Sequence, residues 1–361
     1  MGVFLLILAE IALLLELVSL YRPKQLLYMS SRPLVKVTEP DREFQMETVV
    51  ENRGRMPILF ARLIEYLPYK GSRSQKVTSN LYLMPRERVT RRRTLTLSQR
   101  GRYFFHGGVL EIGDFLGLTQ SQRAFFQTEE VVVLPKPLDK ASLSKTMGGL
   151  MGDRSVQRFI WEDPMLTIGF NDYTGREPMK KISWTRTAQA GRLMVKTYDV
   201  TEDAVVSLVV NTDHGQRLSS DGLMMERLFS TARSIAEELE ASGIRYRFIT
   251  NMRQAGQDYQ GSYIPAGAGQ SQLFRVLTAL GRATYDSAFS FQKLLEKTAS
   301  YSQMGQRALI VTAAPSSFSA EELSLNGLSA AYGQALGRLQ AACGLKPLVA
   351  VVDRKGEITW L

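Results

Sequence analysis

The residues that could do chemistry are few, and their spacing narrows what they could do. The chain has two histidines, His106 and His214, and one cysteine, Cys343. A Ser-His-Asp triad or a zinc centre built on several imidazoles therefore lacks material. One cysteine cannot close an intramolecular disulfide, which suits a reducing compartment, and Cys343 after Ala341 and Ala342 reads as a small core residue. No Walker A, GxSxG, HExxH, CxxC or paired-carboxylate motif occurs, so no catalytic residue and no cofactor is expected. The glycine-rich Gly267-Ala268-Gly269-Gln270 lacks the Lys-Ser/Thr of a phosphate loop. The cluster that remains is Asn211-Thr212-Asp213-His214-Gly215, directly after an apolar run. Amide, hydroxyl and carboxylate oxygens gathered at a strand end are the donors a hard dication takes. One carboxylate plus one amide is a poor set, and Asp213 is expected to cap a turn or the following helix instead.

The elements that would carry this cluster alternate between strand and helix. Continuous apolar runs at 204–212, 244–251, 307–314 and 347–353 read as strands, the first buried on both faces. Helical spacing fills 223–241, 272–280, 288–301 and 320–342 between them, and Gly243 ends the first helix. Parallel strands with helical crossovers are the natural assembly: a doubly wound, mostly parallel α/β sheet over 201–361. Sites on such sheets lie at the carboxyl ends of the strands, where Asn211, Thr212 and Asp213 stand.

Ahead of it the period changes. From Leu34, strand-like runs are divided by Pro68, Pro85 and the turn cluster Glu51-Asn52-Arg53-Gly54, which suggests a small β-sandwich over 30–140. The run 89–105 reads as one strand-like stretch. The arginines in it and just ahead of it, Arg86, Arg88, Arg91, Arg92, Arg93, Arg100 and Arg102, are the densest part of a net charge of +10. No interleaved aromatics or zinc knuckle accompany them, so a solvated strand face near anionic lipid is the expectation rather than nucleic acid. Residues 3–20 are apolar except for Glu10, Glu16 and Ser19. As a helix they would span about 27 Å, close to one hydrocarbon core. Tyr21, Arg22 and Lys24 follow, an aromatic-belt residue and positive charges. Residues 1–24 are thus expected to be a transmembrane anchor and its basic flank, with the bulk of the chain in the cytoplasm.

Two stretches resemble a known family. Gln99-Arg100-Gly101-Arg102-Tyr103, Gly108 and Gly113-Asp114-Phe115-Leu116-Gly117-Leu118 look like one motif of the bacterial domain of unknown function 58 family. Asp172-Tyr173-Thr174-Gly175-Arg176-Glu177-Pro178-Met179-Lys180-Lys181-Ile182-Ser183-Trp184, with Ala188, Leu193, Val195 and Tyr198, resembles its main signature. Arg176, Glu177 and Gln189 depart from that pattern, as in a variant subgroup. The resemblance implies a von Willebrand A-like domain at the C-terminus, a bacterial cell-membrane location and work beside a MoxR-type AAA+ ATPase. It also implies a metal loop reading Asp-x-Ser-x-Ser, against which Asn211 takes the Asp position and Asp213 the first Ser. Gly215 offers no ligand, and Thr312-Ala313-Ala314-Pro315 lacks the acid of the third loop. The metal site is therefore expected to be degenerate, retaining only Asn211 and Asp213.

Residues 141–200 read as a connector. Ile182, Trp184 and Val195 are expected to anchor an extended segment in the core. Asp172, Tyr173, Glu177, Lys180, Lys181, Trp184 and Arg186, together with Asn211, Thr212 and Asp213, are the candidates for a protein-docking surface. A membrane-anchored interaction factor is the leading reading. A hydrolase with a site between the domains and a metal-dependent adhesion module are the alternatives.

Overall fold

The computed structural model of the protein describes residues 2–20, 26–68, 75–105, 107–113, 120–138, 167–175, 179, 182–198, 205–213, 222–254, 262–314, 325–353 and 357–360. The chain is mixed α/β and divides into two units, Met1–Pro135 and Lys136–Leu361.

The N-terminal run is one helix, α1 (Gly2–Leu20). Most of its described apolar side chains are exposed: Val3 is 73% exposed, Ile7 51% and Leu14 63%, whereas Glu16 is buried. Among the described residues no helix is long and apolar enough to cross a membrane. The side chains of Leu15 and of residues 17–20, which complete the run, and the flank Tyr21, Arg22 and Lys24 lie outside the described residues.

The rest of the described part of the first unit is β structure, antiparallel except for the short parallel β2–β10 pair. Its strands are β1 (Leu27–Pro33), β2 (Val37–Thr38), β3 (Glu43–Asn52), β4 (Ile58–Tyr66), β5 (Lys76–Leu83), β6 (Arg88–Thr96), β7 (Gly101–Phe105), β8 (Gly108–Gly113), β9 (Gln120–Phe125) and β10 (Glu129–Val133). One sheet has the order β1-β3-β6, a second β5-β4-β8-β9 and a third β2-β10-β7. Alternation of the strand sequences produces the core. Leu27, Met29 and Val50 of the first sheet pack on Leu63, Leu81, Leu83 and Leu110 of the second. Phe44 and Met46 continue that layer onto Phe105 and Val131 of the third. Each such side chain contributes about 1.5–3 kcal/mol by leaving water.

A chain of polar groups crosses the same sandwich. Ser31 and Thr48 share a hydrogen bond of 3.0 Å, Thr48 Oγ1 donates to Glu65 Oε1 at 2.5 Å, and Arg93 donates to Glu65 Oε2 at 3.2 Å. Glu65 is 2% exposed, so its charge is held by these partners rather than by water.

One expectation changes here. The run 89–105 is two strands, not one: β6 ends at Thr96, and β7 begins at Gly101, whose φ of 146° turns the chain into another sheet. The arginines of β6 are exposed or half-buried, and three of them also have partners on the protein. Arg92 pairs with Glu47 at 3.2 Å, Arg93 with Glu65, and Arg91 donates to the Asn80 carbonyl at 3.0 Å.

In the second unit β11 (Thr167–Asp172) and β12 (Met194–Tyr198) form an antiparallel pair joined across a short helix, α2 (Trp184–Ala190). The main sheet follows: β13 (Val205–Asn211), α3 (Gly222–Ala241), β14 (Arg245–Thr250), β15 (Met252–Gln254), β16 (Ser262–Gly267), α4 (Gln270–Arg282), β17 (Ala283–Ser287), α5 (Phe291–Tyr301), β18 (Arg307–Ala313), α6 (Leu325–Cys343), β19 (Leu348–Val352) and β20 (Ile358–Trp360). Its order is β16-β14-β13-β18-β19-β20. The four inner strands are parallel and both edges antiparallel. Every residue of β13 is buried, Ser207 and Asn211 included, as its mostly apolar run on both faces requires. On one face Val209, Ile249, Ile310 and Val351 meet Leu294 and Leu295 of α5 and Leu339 and Cys343 of α6. On the other lies α3, with Leu228, Phe229, Ala232 and Ile235 fully buried. The antiparallel edges and the small β15–β17 ribbon were not legible as strands in the sequence, because each is short and half polar.

Candidate interaction site

The strand order of the second unit reverses between β13 and β18, and in open α/β sheets that crevice, at the carboxyl ends of the strands, receives ligands. Here it is closed from within. Asn211, at the end of β13, donates from Nδ2 to Thr312 Oγ1 of β18 at 2.8 Å and to the Asp213 carbonyl at 3.0 Å. Its Oδ1 accepts from Asn251 Nδ2 at 2.7 Å and from the Asp213 backbone N–H at 3.0 Å. Asn251, just past β14, gives its second proton to the Phe289 carbonyl at 2.9 Å. Its Oδ1 accepts from Thr212 N at 2.9 Å and from the Thr212 hydroxyl at 3.4 Å. Both amides thus use all four of their hydrogen-bonding positions. Asn211, Asn251, Thr212 and Thr312 are each at most 1% exposed.

Asp213 is the carboxylate at this end, and it is committed to a helix. Its Oδ2 accepts from the Phe291 backbone N–H at 2.9 Å, capping α5. The sequence suggested a turn or the following helix as its place; Asp213 shares two hydrogen bonds with Asn211 through its own backbone, and its side chain reaches α5 because β13 and α5 abut in space. The Asp213 charge also acts on Tyr332 of α6, whose phenol is held above its ordinary range by burial and then by that charge. Tyr332 stands edge-to-face on Phe291 with ring centres 4.9 Å apart. The amide oxygens are taken and one carboxylate remains, so this donor set does not fit a hard dication. Among the described residues no three His, Cys, Asp or Glu side chains gather to hold a metal. Residues 214–220, with His214 and Gly215, lie outside the described residues, as does His106. Asn251 and Thr312 are the members that sequence reasoning missed as site residues. Their signal was present, since each stands at the carboxyl end of a predicted strand.

The second group of candidates falls on the β11–α2–β12 hairpin. Tyr173 N donates to the Leu193 carbonyl at 2.9 Å, and Ser183 N donates to that of Met194 at 2.8 Å. Ile182 and Val195 are buried and bridge to each other, as expected of the extended segment. Trp184 does not join them. It is the first residue of α2 and is 63% exposed, because the helix turns it off the strand parity that would have carried it inward. Gly191, with φ of 66°, ends α2 in the left-handed conformation that lets β12 return. Asp172 pairs with Arg192 at 3.0 Å, and the Arg186 guanidinium lies 5.1 Å from the centre of the Phe170 ring. Met179 (69% exposed) and Leu193 (42%) accompany Trp184 as exposed apolar side chains. Glu177, Lys180 and Lys181 lie outside the described residues.

The first motif is structural where it is described. Tyr103 is buried and its hydroxyl donates to the Gln99 carbonyl at 2.9 Å. A Cβ on Gly108 would meet the Ile64 carbonyl oxygen at 2.5 Å and the Met29 methyl at 2.6 Å, so only glycine lets β8 lie this close to β4 and β1.

No family model matches the chain, and no curated protein is similar to it. Among solved structures, the CARDB domain of a Pyrococcus furiosus protein, determined with di-metal ions, is 16% identical over 30% of this chain and 87% of its own, with a TM-score of 0.22. The DNA-bound alkylpurine DNA glycosylase of Pseudomonas fluorescens is 9% identical over 30% of each chain, with a TM-score of 0.21. A β-glucosidase of Listeria innocua is 14% identical over 30% of this chain and 16% of its own, with a TM-score of 0.20. At such TM-scores these likenesses carry no argument.

Proposed function

We propose that the protein is a membrane-anchored interaction factor and works through contacts rather than catalysis. In this reading α1 tethers the chain to the bacterial cell membrane with its bulk in the cytoplasm, and the β-sandwich follows. The second unit is a von Willebrand A-like domain whose metal position has been replaced by the Asn211–Asn251–Thr312 network. The unpartnered apolar surface of α1 supports the tether, and the strand order with its antiparallel first edge supports the domain reading.

The observation that carries the interaction role is the exposed Trp184. It stands on a hairpin pinned by backbone hydrogen bonds, beside the exposed Met179 and Leu193. A large aromatic presented to solvent from a pinned backbone is the type of residue that dominates protein–protein binding energy. The partner we propose is a MoxR-type AAA+ ATPase, in assembly or maturation of envelope-associated complexes. Capture from detergent-solubilised membranes tests this: the full chain is expected to recover an AAA+ ATPase and the Trp184→Ala chain to lose it. Recovery of no ATPase across several detergents would overturn the proposal.

A further inference from the structure

One end of the β-sandwich has a composition suited to a lipid surface. It is formed by the start of β1, the turn 53–57 and the turn 84–87, and it is cross-braced. Asn52, 3% exposed, donates to the carbonyls of Met56 at 2.8 Å and Met84 at 3.0 Å, and accepts from Gly54 N at 3.0 Å. Arg53 N donates to the Leu26 carbonyl at 2.8 Å, and Arg86 N to that of Gly54 at 3.2 Å. Three segments are thereby fixed together, yet they hold their apolar side chains outward. Leu26 is 38% exposed, Tyr28 39%, Met56 36% and Met84 52%; on the adjoining strands β4 and β5, Phe60 is 58% and Tyr82 67% exposed. Arg53, Arg55 and Arg86 are exposed among them, with the Arg53 guanidinium 4.6 Å from the centre of the Tyr28 ring. The neighbouring acids are engaged: Glu51 pairs with Arg53, and Glu87 accepts from Met84 N. The turn at the other end of β3 reads Glu39-Pro40-Asp41-Arg42, with two acids.

We infer that this end of the sandwich rests on the headgroup layer of an anionic bilayer, with its aromatic and methionine side chains at the interface and its arginines on lipid phosphates. The inference rests on the proposed anchoring by α1. Leu26 follows Leu20 by six residues, so the chain can separate this end from the helix by about 20 Å at most. Aromatic side chains gather at bilayer interfaces, and cations within a screening length are drawn to anionic lipid.

The test uses the full chain reconstituted into vesicles of phosphatidylcholine with or without phosphatidylglycerol. Met56→Cys, Met84→Cys and Arg42→Cys chains carry an environment-sensitive dye, Cys343 being buried. The dye at 56 and 84 is expected to shift to the blue and to be quenched by headgroup spin-labelled lipid in anionic vesicles, and the dye at 42 is not. Exchanging Arg55 and Arg86 for Gln is expected to lower the docked-to-free ratio about 30-fold, from about 1 kcal/mol for each cation. Raising salt from about 0.01 M to about 1 M, which shortens the screening length from about 30 Å to about 3 Å, acts in the same direction. Dyes at 56 and 84 that stay as unquenched as the dye at 42, on chains that still float with the vesicles, overturn the inference and leave the anchor standing. Chains that do not float overturn both.

Discussion

Asn251 Nδ2 donates to Asn211 Oδ1 at 2.7 Å, joining the carboxyl ends of two parallel strands through their side chains. With Thr312 as third member, the bond occupies the place where an open α/β sheet ordinarily receives a ligand. A buried amide network of this kind stabilises only while every member is paired, which makes it sensitive to single changes.

Replacing Asn211 by Ala removes the partners of Asn251 Nδ2 and of the Asp213 backbone N–H, both buried or nearly so. A loss of about 2–3 kcal/mol is expected in urea denaturation. Asn211→Asp should cost more near neutral pH, since it buries a charge facing carbonyl and hydroxyl oxygens. Burial raises the folded pKa of such a carboxyl above its unfolded value, so the folded state binds the extra proton. The penalty therefore shrinks as pH falls through that raised pKa, and denaturation midpoints compared at neutral and acid pH read it.

Asp213→Ala removes the carboxylate cap of α5 and is expected to cost about 1 kcal/mol, because Ser290, whose Oγ accepts from Lys293 N, remains to cap the same helix. The same variant removes a negative charge near Tyr332. That phenol should then ionise at lower pH than in the parent, as read by ultraviolet difference titration against a Tyr332→Phe control.

Calorimetric titration with Mg2+ is expected to give no binding heat that depends on Asp213. Micromolar affinity abolished by Asp213→Ala would show that the loop residues beyond Asp213 complete a metal site, and would remove the amide network as the reason for a metal-free surface.

Glu47 lies between Arg32 and Arg92 across three paired strands, at 3.1 and 3.2 Å. Hydrogen bonds from Arg32 and then Arg92 hold its carboxyl below the ordinary carboxylate value of 4.5, against a smaller opposing effect of burial. A carboxyl with a depressed folded pKa adds stability that is present above its unfolded pKa and is lost as pH falls through the folded one. The parent chain should therefore lose stability below pH 4.5 more steeply than Glu47→Gln, in denaturation series across that range.

Trp184→Ala should leave stability within about 0.5 kcal/mol of the parent, because the side chain is mostly in solvent. Its effect is expected in binding instead, with a loss of about 2 kcal/mol or near 30-fold in partner affinity, measured on the captured complex. A Trp184→Phe chain that recovers most of the affinity would separate an aromatic anchor from a general disturbance of the hairpin.

Several features of this protein were settled by local sequence. The apolar run leading to Asn211, broken only by Ser207, specified a strand buried on both faces, because neither side of it offers solvent a polar row. Residues 223–241 specified α3 through their spacing, and Gly243 its end. The strand-like texture of 89–96 was legible as well, although the end of β6 at Thr96 was not. None of these depends on a distant partner. Tertiary structure alone decided the rest. Trp184 lies outside because a short helix interrupts the strand parity, and helix and strand are nearly balanced over so few residues. Asn251 and Thr312 join Asn211 only when β14 and β18 flank β13, an adjacency between residues 40 and 101 positions from Asn211. Arg92 and Arg93 are spoken for only once β3 and β4 bring Glu47 and Glu65 beside them. Hydrophobic period is a property of neighbours along the chain, whereas hydrogen-bond satisfaction is a property of neighbours in space.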